Sequence, residues 1–278
     1  MKRRRFINNI TLSTIGLGVF GCLYSWQIEP FWLEFVYHKM IINNLPIELK
    51  GKTLMQISDI HVGDRFDYKF IIKSFHKAQE KNPDFVVYTG DFITYDNVQQ
   101  FEQLKDTLKY AVKGKLGTLA ILGNHDYGKN WSDQFVAEKV VDLLNSNDIS
   151  VLRNEQMMIG GLNFIGFDDY WALNFNPLKV MKYYNSEKAN IVLCHNPDVC
   201  DLNVWNGYQG WILSGHTHGG QVKPPFLDPP ILPVKNENYS SGRIDLGDGR
   251  MLYINRALGH LWQVRFNVRP EVTIFNLA

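Results

Sequence analysis

Carboxylate, imidazole and amide side chains gather in five short clusters along this chain: Asp59-Ile60-His61, Gly90-Asp91, Gly123-Asn124-His125-Asp126, His195-Asn196-Pro197-Asp198 and Gly215-His216-Thr217-His218. Carboxylate oxygen, amide oxygen and neutral imidazole together suit hard-to-borderline divalent ions, and no thiolate is required. Asp59 and His61 stand two apart, as do His216 and His218. On an extended strand such residues point the same way, so each pair is expected to hold one ion from one side. Glycine immediately before Asp91, Asn124 and His216 permits a sharp turn and close backbone approach. Each cluster alone is commonplace, and a lone histidine is more often a packing residue than a ligand. Their joint occurrence points to a metal centre.

Positioning these groups falls to the apolar runs that precede them. Thr53–Ser58, Phe85–Thr89, Thr118–Leu122, Ile191–Cys194 and Trp211–Ser214 read as strands, and a cluster begins just beyond each. Further strands are expected at 163–167, 251–255 and 271–275, with helical spacing over 68–81, 98–112 and 131–146. Strand–helix alternation predicts an α/β fold, and the strand-rich second half predicts mixed sheets stacked in layers and flanked by helices. Ligands in such folds bind beyond the carboxyl ends of strands, so five strands would deliver the clusters to one rim.

In this order the clusters resemble those of the calcineurin-like metallophosphoesterases, from about Thr53 to the C-terminus. The nearest in character are membrane-associated bacterial members, some of which are UDP-2,3-diacylglucosamine pyrophosphohydrolases of lipid A synthesis. The resemblance implies that Asp59, His61 and His218 bind one divalent metal, that Asn124, His195 and His216 bind a second, and that Asp91 bridges them. It implies that His125 faces the leaving-group oxygen rather than a metal. Manganese, iron, zinc and nickel all accept such ligands. The implied reaction is hydrolysis of a phosphate ester or pyrophosphate, on a lipid-linked substrate such as UDP-2,3-diacylglucosamine. The alternatives are a phosphodiesterase for soluble nucleotides or other small diesters, and a non-catalytic scaffold, which would need lost ligands; none is missing. Asp126 is expected to orient a histidine or cap the following segment. Asp168 and Asp169 read as a turn, His38, His76 and His260 as structural or surface residues, and Arg243, Arg256 and Arg265 as surface pairs, with phosphate contact the alternative for each.

The 278 residues carry 29 basic and 28 acidic side chains. Lys2, Arg3, Arg4 and Arg5 supply four of the positive charges, and without them the balance is −3. No basic stripe remains to neutralise phosphates, which argues against a dedicated nucleic-acid binder. A monomer is expected. Cys22, Cys194 and Cys200 form no CxxC pair; Cys194 and Cys200 read as buried thiols, with pairing open outside the cytoplasm.

Residues 6–28 contain no charged side chain before Glu29, and their 23-residue length matches a bilayer span. Asn8, Asn9, Thr11, Ser13 and Thr14 dilute the run. With the basic cluster before it, residues 1–28 are expected to form an uncleaved signal anchor at the inner membrane, residues 29–50 a linker and leading strand, and residues 51–278 the catalytic domain. The positive-inside rule places that domain on the outer, periplasmic or extracellular, side, whereas lipid A pyrophosphate cleavage is a cytoplasmic-face reaction. The other arrangement is an amphipathic segment on the cytoplasmic face. The loop Gln221–Asn238 holds five of the 11 prolines with Phe226, Leu227, Ile231 and Leu232 among them. These four either face outward toward lipid or pack onto the domain.

Overall fold

The computed structural model describes residues 2–278. Its strands in chain order are β1 (Glu34–Met40), β2 (Thr53–Ile57), β3 (Phe85–Thr89), β4 (Gly117–Ile121), β5 (Ser150–Val151), β6 (Glu155–Ile159), β7 (Leu162–Gly166), β8 (Ala189–Leu193), β9 (Gly210–Ser214), β10 (Gly242–Asp245), β11 (Arg250–Ile254) and β12 (Glu271–Leu277). They form two six-stranded sheets, ordered β1-β12-β2-β3-β4-β5 and β10-β11-β9-β8-β7-β6. Both are mixed: β2, β3 and β4 run parallel beside an antiparallel β12, and β7, β8, β9 and β11 run parallel between antiparallel edges. This is the layered α/β arrangement expected.

Period-two patterning explains the layers. In β3, Phe85 and Val87 face the second sheet, while Val86 and Tyr88 face the helices. In β8, Ile191 and Leu193 point into the inter-sheet core, and Val192 points outward against Trp205 and Tyr208. The strands nearest the centre are buried on both faces, so they read as unbroken apolar runs. The edge strands β6 and β10 alternate burial or are largely exposed, and no apolar run announces them.

Three helices cover the first sheet: α2 (Tyr68–Gln79), α3 (Gln99–Leu108) and α4 (Gln134–Asn145), α1 being the N-terminal helix Lys2–Leu23. Asp67 and Asp133 cap α2 and α4 by accepting from backbone N–H groups of the first turn. Phe70, Ile71, Phe75 and Ala78 form the buried stripe of α2. Fully burying a phenylalanine such as Phe75 stabilises by roughly 1.5–3 kcal/mol.

No described helix is long and apolar enough to cross a membrane, the polar residues of α1 diluting its hydropathy. After α1 a π-turn, Tyr24–Ile28, leads onto the domain. Ser25 O accepts from Arg265 N at 2.8 Å, and the buried Glu29 carboxylate accepts from Val268 N at 2.6 Å. Residues from Ser25 onward therefore pack on the catalytic body.

Candidate metal centre

β2, β3, β4, β8 and β9 end at one rim, and the five clusters lie just beyond them. The side chains there form two buried groups, Asp59 with His61 and His218, and Asp91 with His195 and His216; within each, the potential ligand atoms lie within 4.8 Å of one another. His216 and His218, which strand alternation alone would aim at one ion, go to different groups, the division that the family resemblance implies. β9 ends at Ser214, so strand alternation no longer applies at these positions. His216 and His218 both adopt left-handed backbone, with φ of 72° and 52°, and point to different groups. Asp59, His61 and Asp91 are left-handed too, with φ of 52°, 45° and 56°. Non-glycine residues held there cost ~1 kcal/mol or more each, a strain that collects at functional sites.

Glycine makes the close approach possible. A Cβ on Gly215 would lie 2.2 Å from Asp59 Oδ2, and one on Gly123 would lie 2.2 Å from Asp91 Oδ1. Asp91 stands between the two groups. Its Oδ2 is 3.5 Å from His61 Nε2 and 3.3 Å from His195 Nε2, while Oδ1 accepts from the His125 backbone N–H at 2.9 Å. Burial opposes its charge, but His195, His125 and His61 outweigh burial and hold Asp91 well below the usual carboxylate range. Asp59 is likewise pulled down to about 2 by His218 and His195 against burial. Its carboxylate accepts from His216 N, locking the first cluster to the last.

The imidazoles are oriented from behind. His195 Nδ1 lies 2.7 Å from Thr89 O, His61 Nδ1 lies 3.1 Å from Thr94 Oγ1, and His216 Nε2 lies 2.8 Å from Pro233 O. A carbonyl accepts only from a protonated ring nitrogen, so His195 Nε2 and His216 Nδ1 are the nitrogens turned to the centre. Burial opposes charge on His195, but with no cation between them the Asp91 and Asp59 carboxylates raise it well above the usual imidazole range. His61 Nε2 and His218 Nε2 face each other at 3.0 Å. Asn124 Oδ1 and His195 Nε2 are buried with no hydrogen-bond partner. Converging imidazole nitrogens, an orphaned amide oxygen and two buried carboxylates fit two divalent cations.

Asp126 does something other than orient a histidine. Its carboxylate accepts from the backbone N–H groups of Asp91, Phe92, Ile93 and Gly123, so it ties the Asp91 turn to the Asn124 turn. Asp168 and Asp169 form more than a turn. Asp168 pairs with Arg153 at 3.0 Å. Asp169 is buried beside His195 and Asp91, and burial pushes its carboxyl up to about 7. It accepts from Trp171 N, and the Trp171 ring meets the edge of His216 at 4.5 Å. Asp169 and Trp171 carried no spacing signal, because they reach the centre from a loop outside the five clusters.

The arginines are committed elsewhere. Arg265 is fully buried, donating to carbonyls of Arg256, Ala257, Gly259 and Val268. Arg256 pairs with Glu34 and Glu271, and Arg243 lies over the Trp211 ring. His260 is buried and stacked on Phe66. Cys194 and Cys200 are free buried thiols, and Cys22 is exposed.

A cleft of about 430 Å³ opens directly onto His125, His216 and His218, walled by Val222, Ile231 and Trp262. His125 belongs to neither ligand group. Its ring stands 5.0 Å from that of His61, edge to face, and burial lowers its pKa. Beside the cleft, Phe226 is fully exposed, Ile231 is 76% and Leu227 64% exposed, and Leu232 is half-buried. Three of the four apolar residues of the proline-rich loop thus face outward. The loop is held at its C-terminal end by Asp198, which accepts from Lys235 N and Asn236 N.

The family model for calcineurin-like phosphoesterases matches residues 52–220. The chain is 29% identical to an uncharacterized metallophosphoesterase, YkuE, of Bacillus subtilis, covering 100% of this chain and 98% of that one. It is 28% identical to the phosphodiesterase YaeI of Escherichia coli, with both chains fully covered. It is 27% identical to the UDP-2,3-diacylglucosamine pyrophosphatase LpxG of Chlamydia muridarum, with 94% of each covered. A dimetal phosphatase from Danio rerio superposes with a TM-score of 0.51 at 12% identity, over 75% of this chain and 88% of that one, a likeness of fold. A rim that gathers two ligand groups from five strand ends, and a family match spanning all five, lead to one assignment: the chain belongs to the calcineurin-like phosphoesterase family and is a metal-dependent phosphoesterase.

Proposed function

We propose that this enzyme hydrolyses a phosphate ester or pyrophosphate within a lipid-linked substrate, of the kind represented by UDP-2,3-diacylglucosamine. The observation that carries the reading is the apolar cleft whose head is formed by His125, His216 and His218. A cleft walled by valine, isoleucine and tryptophan offers an acyl chain apolar surface next to the metal centre. The LpxG relatives, named for such a substrate, add to this.

In the proposed centre Asp59, His61 and His218 hold one divalent ion, Asn124, His195 and His216 the other, and Asp91 serves both. Held by these residues, two divalent ions would supply Lewis acidity toward the phosphoryl oxygens and a more acidic water. The chain's own residues do the rest. Thr89 O and Pro233 O keep the tautomers of His195 and His216 that leave a nitrogen free for binding. Asp126 holds the Asp91 and Asn124 turns together. His125 delivers a proton to the departing oxygen. The apolar walls limit water around the leaving group.

Changing Phe226 and Leu227 together to serine tests the substrate. Both are exposed, so thermal stability should hold. Activity on a lipid-linked substrate presented in vesicles should fall about 10-fold or more, because each buried methylene is worth ~0.8 kcal/mol. A small soluble diester should be cleaved as before. Equal loss on both substrates removes the lipid reading and leaves a phosphodiesterase for soluble diesters.

α1 is proposed to hold the enzyme at a membrane, with Lys2–Arg5 against anionic headgroups and Phe20, Leu23 and Trp26, all exposed, at the interface. Deleting residues 1–22 spares the Ser25 and Glu29 contacts and should yield an active enzyme that no longer sediments with anionic vesicles. Unchanged vesicle binding by the truncated protein would refute this role.

A further inference from the structure

We propose that Arg65 is a specificity-determining residue that reads a second phosphate on the substrate, beyond the one bound at the metal centre; this rests on the phosphoesterase assignment and deepens the substrate reading above. The sequence places Arg65 four residues after His61, on the loop between β2 and α2. Each residue around it is committed. The Asp64 carboxylate accepts from the side-chain amides of Gln100 at 2.7 Å and Gln103 at 2.9 Å, which pins the loop to α3. Phe66 is buried and stacks on His260 with ring centroids 4.1 Å apart. Asp67 caps α2 through Lys69 N. The loop is thus stapled on both sides of Arg65, and the two neighbouring carboxylates are turned to other partners.

Arg65 itself lines the cleft with His125 and His218, and among the described residues it pairs with no carboxylate. It is the cleft's one permanent charge, since its other lining residues are apolar, neutral polar or imidazole. A guanidinium is never deprotonated and offers a planar fork that matches phosphate bidentately. Arg65 is exposed at the mouth of the cleft, solvated and without a carboxylate partner, so its fork is available to an anion that enters. The acyl-type walls explain where a chain would go, and Arg65 explains why the linkage at the head would be a pyrophosphate rather than a single diester.

The test uses the metal-loaded full-length protein, titrated calorimetrically with inorganic pyrophosphate and with inorganic phosphate, metal content being verified afterwards. One charge-assisted pair sets a factor of roughly 10–100. Arg65→Gln should weaken pyrophosphate by that factor and phosphate by less than about 2-fold. Arg65→Lys, which keeps the charge and loses the fork, should recover part of the loss. Kinetics should agree: the variant should lose kcat/KM on a pyrophosphate diester mainly through KM and keep its rate on bis(p-nitrophenyl) phosphate. Equal weakening of both anions, or of neither, overturns the proposal. A wild-type enzyme indifferent to acyl chains would sink the lipid reading yet leave the pyrophosphate-to-phosphate ratio to decide Arg65 separately.

Discussion

Asp91→Ala should empty both halves of the metal centre and lower turnover by at least about 10³-fold. Removing one electrostatic stabiliser of a reacting centre costs about 10²–10³ by itself, and Asp91 serves two. Its Oδ2 lies within 3.5 Å of an imidazole nitrogen from each ligand group, and its Oδ1 holds the turn that carries His125. Alanine removes the carboxylate that stands between His61 and His195 and frees the His125 backbone N–H. Asp91→Asn separates the two effects: it keeps the volume and the acceptor for His125 N while removing the charge. It should retain the fold and still lose metal. Elemental analysis of the purified variants reads the outcome directly. Two tightly bound ions with ordinary turnover in Asp91→Ala would refute the bridging role.

His125→Ala should do the opposite, keeping both ions and losing catalysis. The bond that locks this turn runs from the His125 backbone N–H to Asp91, so truncating the side chain leaves it intact. The imidazole stands outside both ligand groups and lines the cleft, where a leaving group would sit. A general acid contributes about 10²–10⁴-fold, and that factor belongs to leaving groups that need a proton. The loss should therefore approach 10⁴ for an alkyl ester and shrink toward unity for p-nitrophenolate. Equal losses on the two esters would show that His125 stabilises phosphoryl charge instead.

Much of this molecule was legible before any coordinates. Central strands such as β3 and β8 are buried on both faces, so their apolar runs stood out, and the clusters begin where those runs stop. The seven metal-binding candidates carry their chemistry in their residue types, and the glycines beside them mark where the backbone must come close. Edge strands β6 and β10 were not legible, because one exposed face removes the apolar run on which the reading depends. Asp126 was legible only in part: it does cap its own turn through Gly123 N, but its bonds to Asp91, Phe92 and Ile93 exist only once folding brings the two turns together.

The sequence by itself therefore determined the fold class, the metal chemistry and the candidates that could supply it. Those features follow from local burial and from side-chain type, both of which a short window records. Motif order alone implied how the candidates divide, and only the tertiary structure shows how that division is built. His216 and His218 part company because β9 ends before them and their left-handed turns aim each at a different group. Tertiary structure alone decided which nitrogen of His195 and of His216 is turned to the centre, since the carbonyls of Thr89 and Pro233 that settle it lie 106 and 17 residues away along the chain. It alone turned Arg65 to the cleft, by engaging Asp64 with α3 and Phe66 with His260. Each of these depends on contacts between segments far apart in sequence, where no local pattern of residue types can specify which atom meets which.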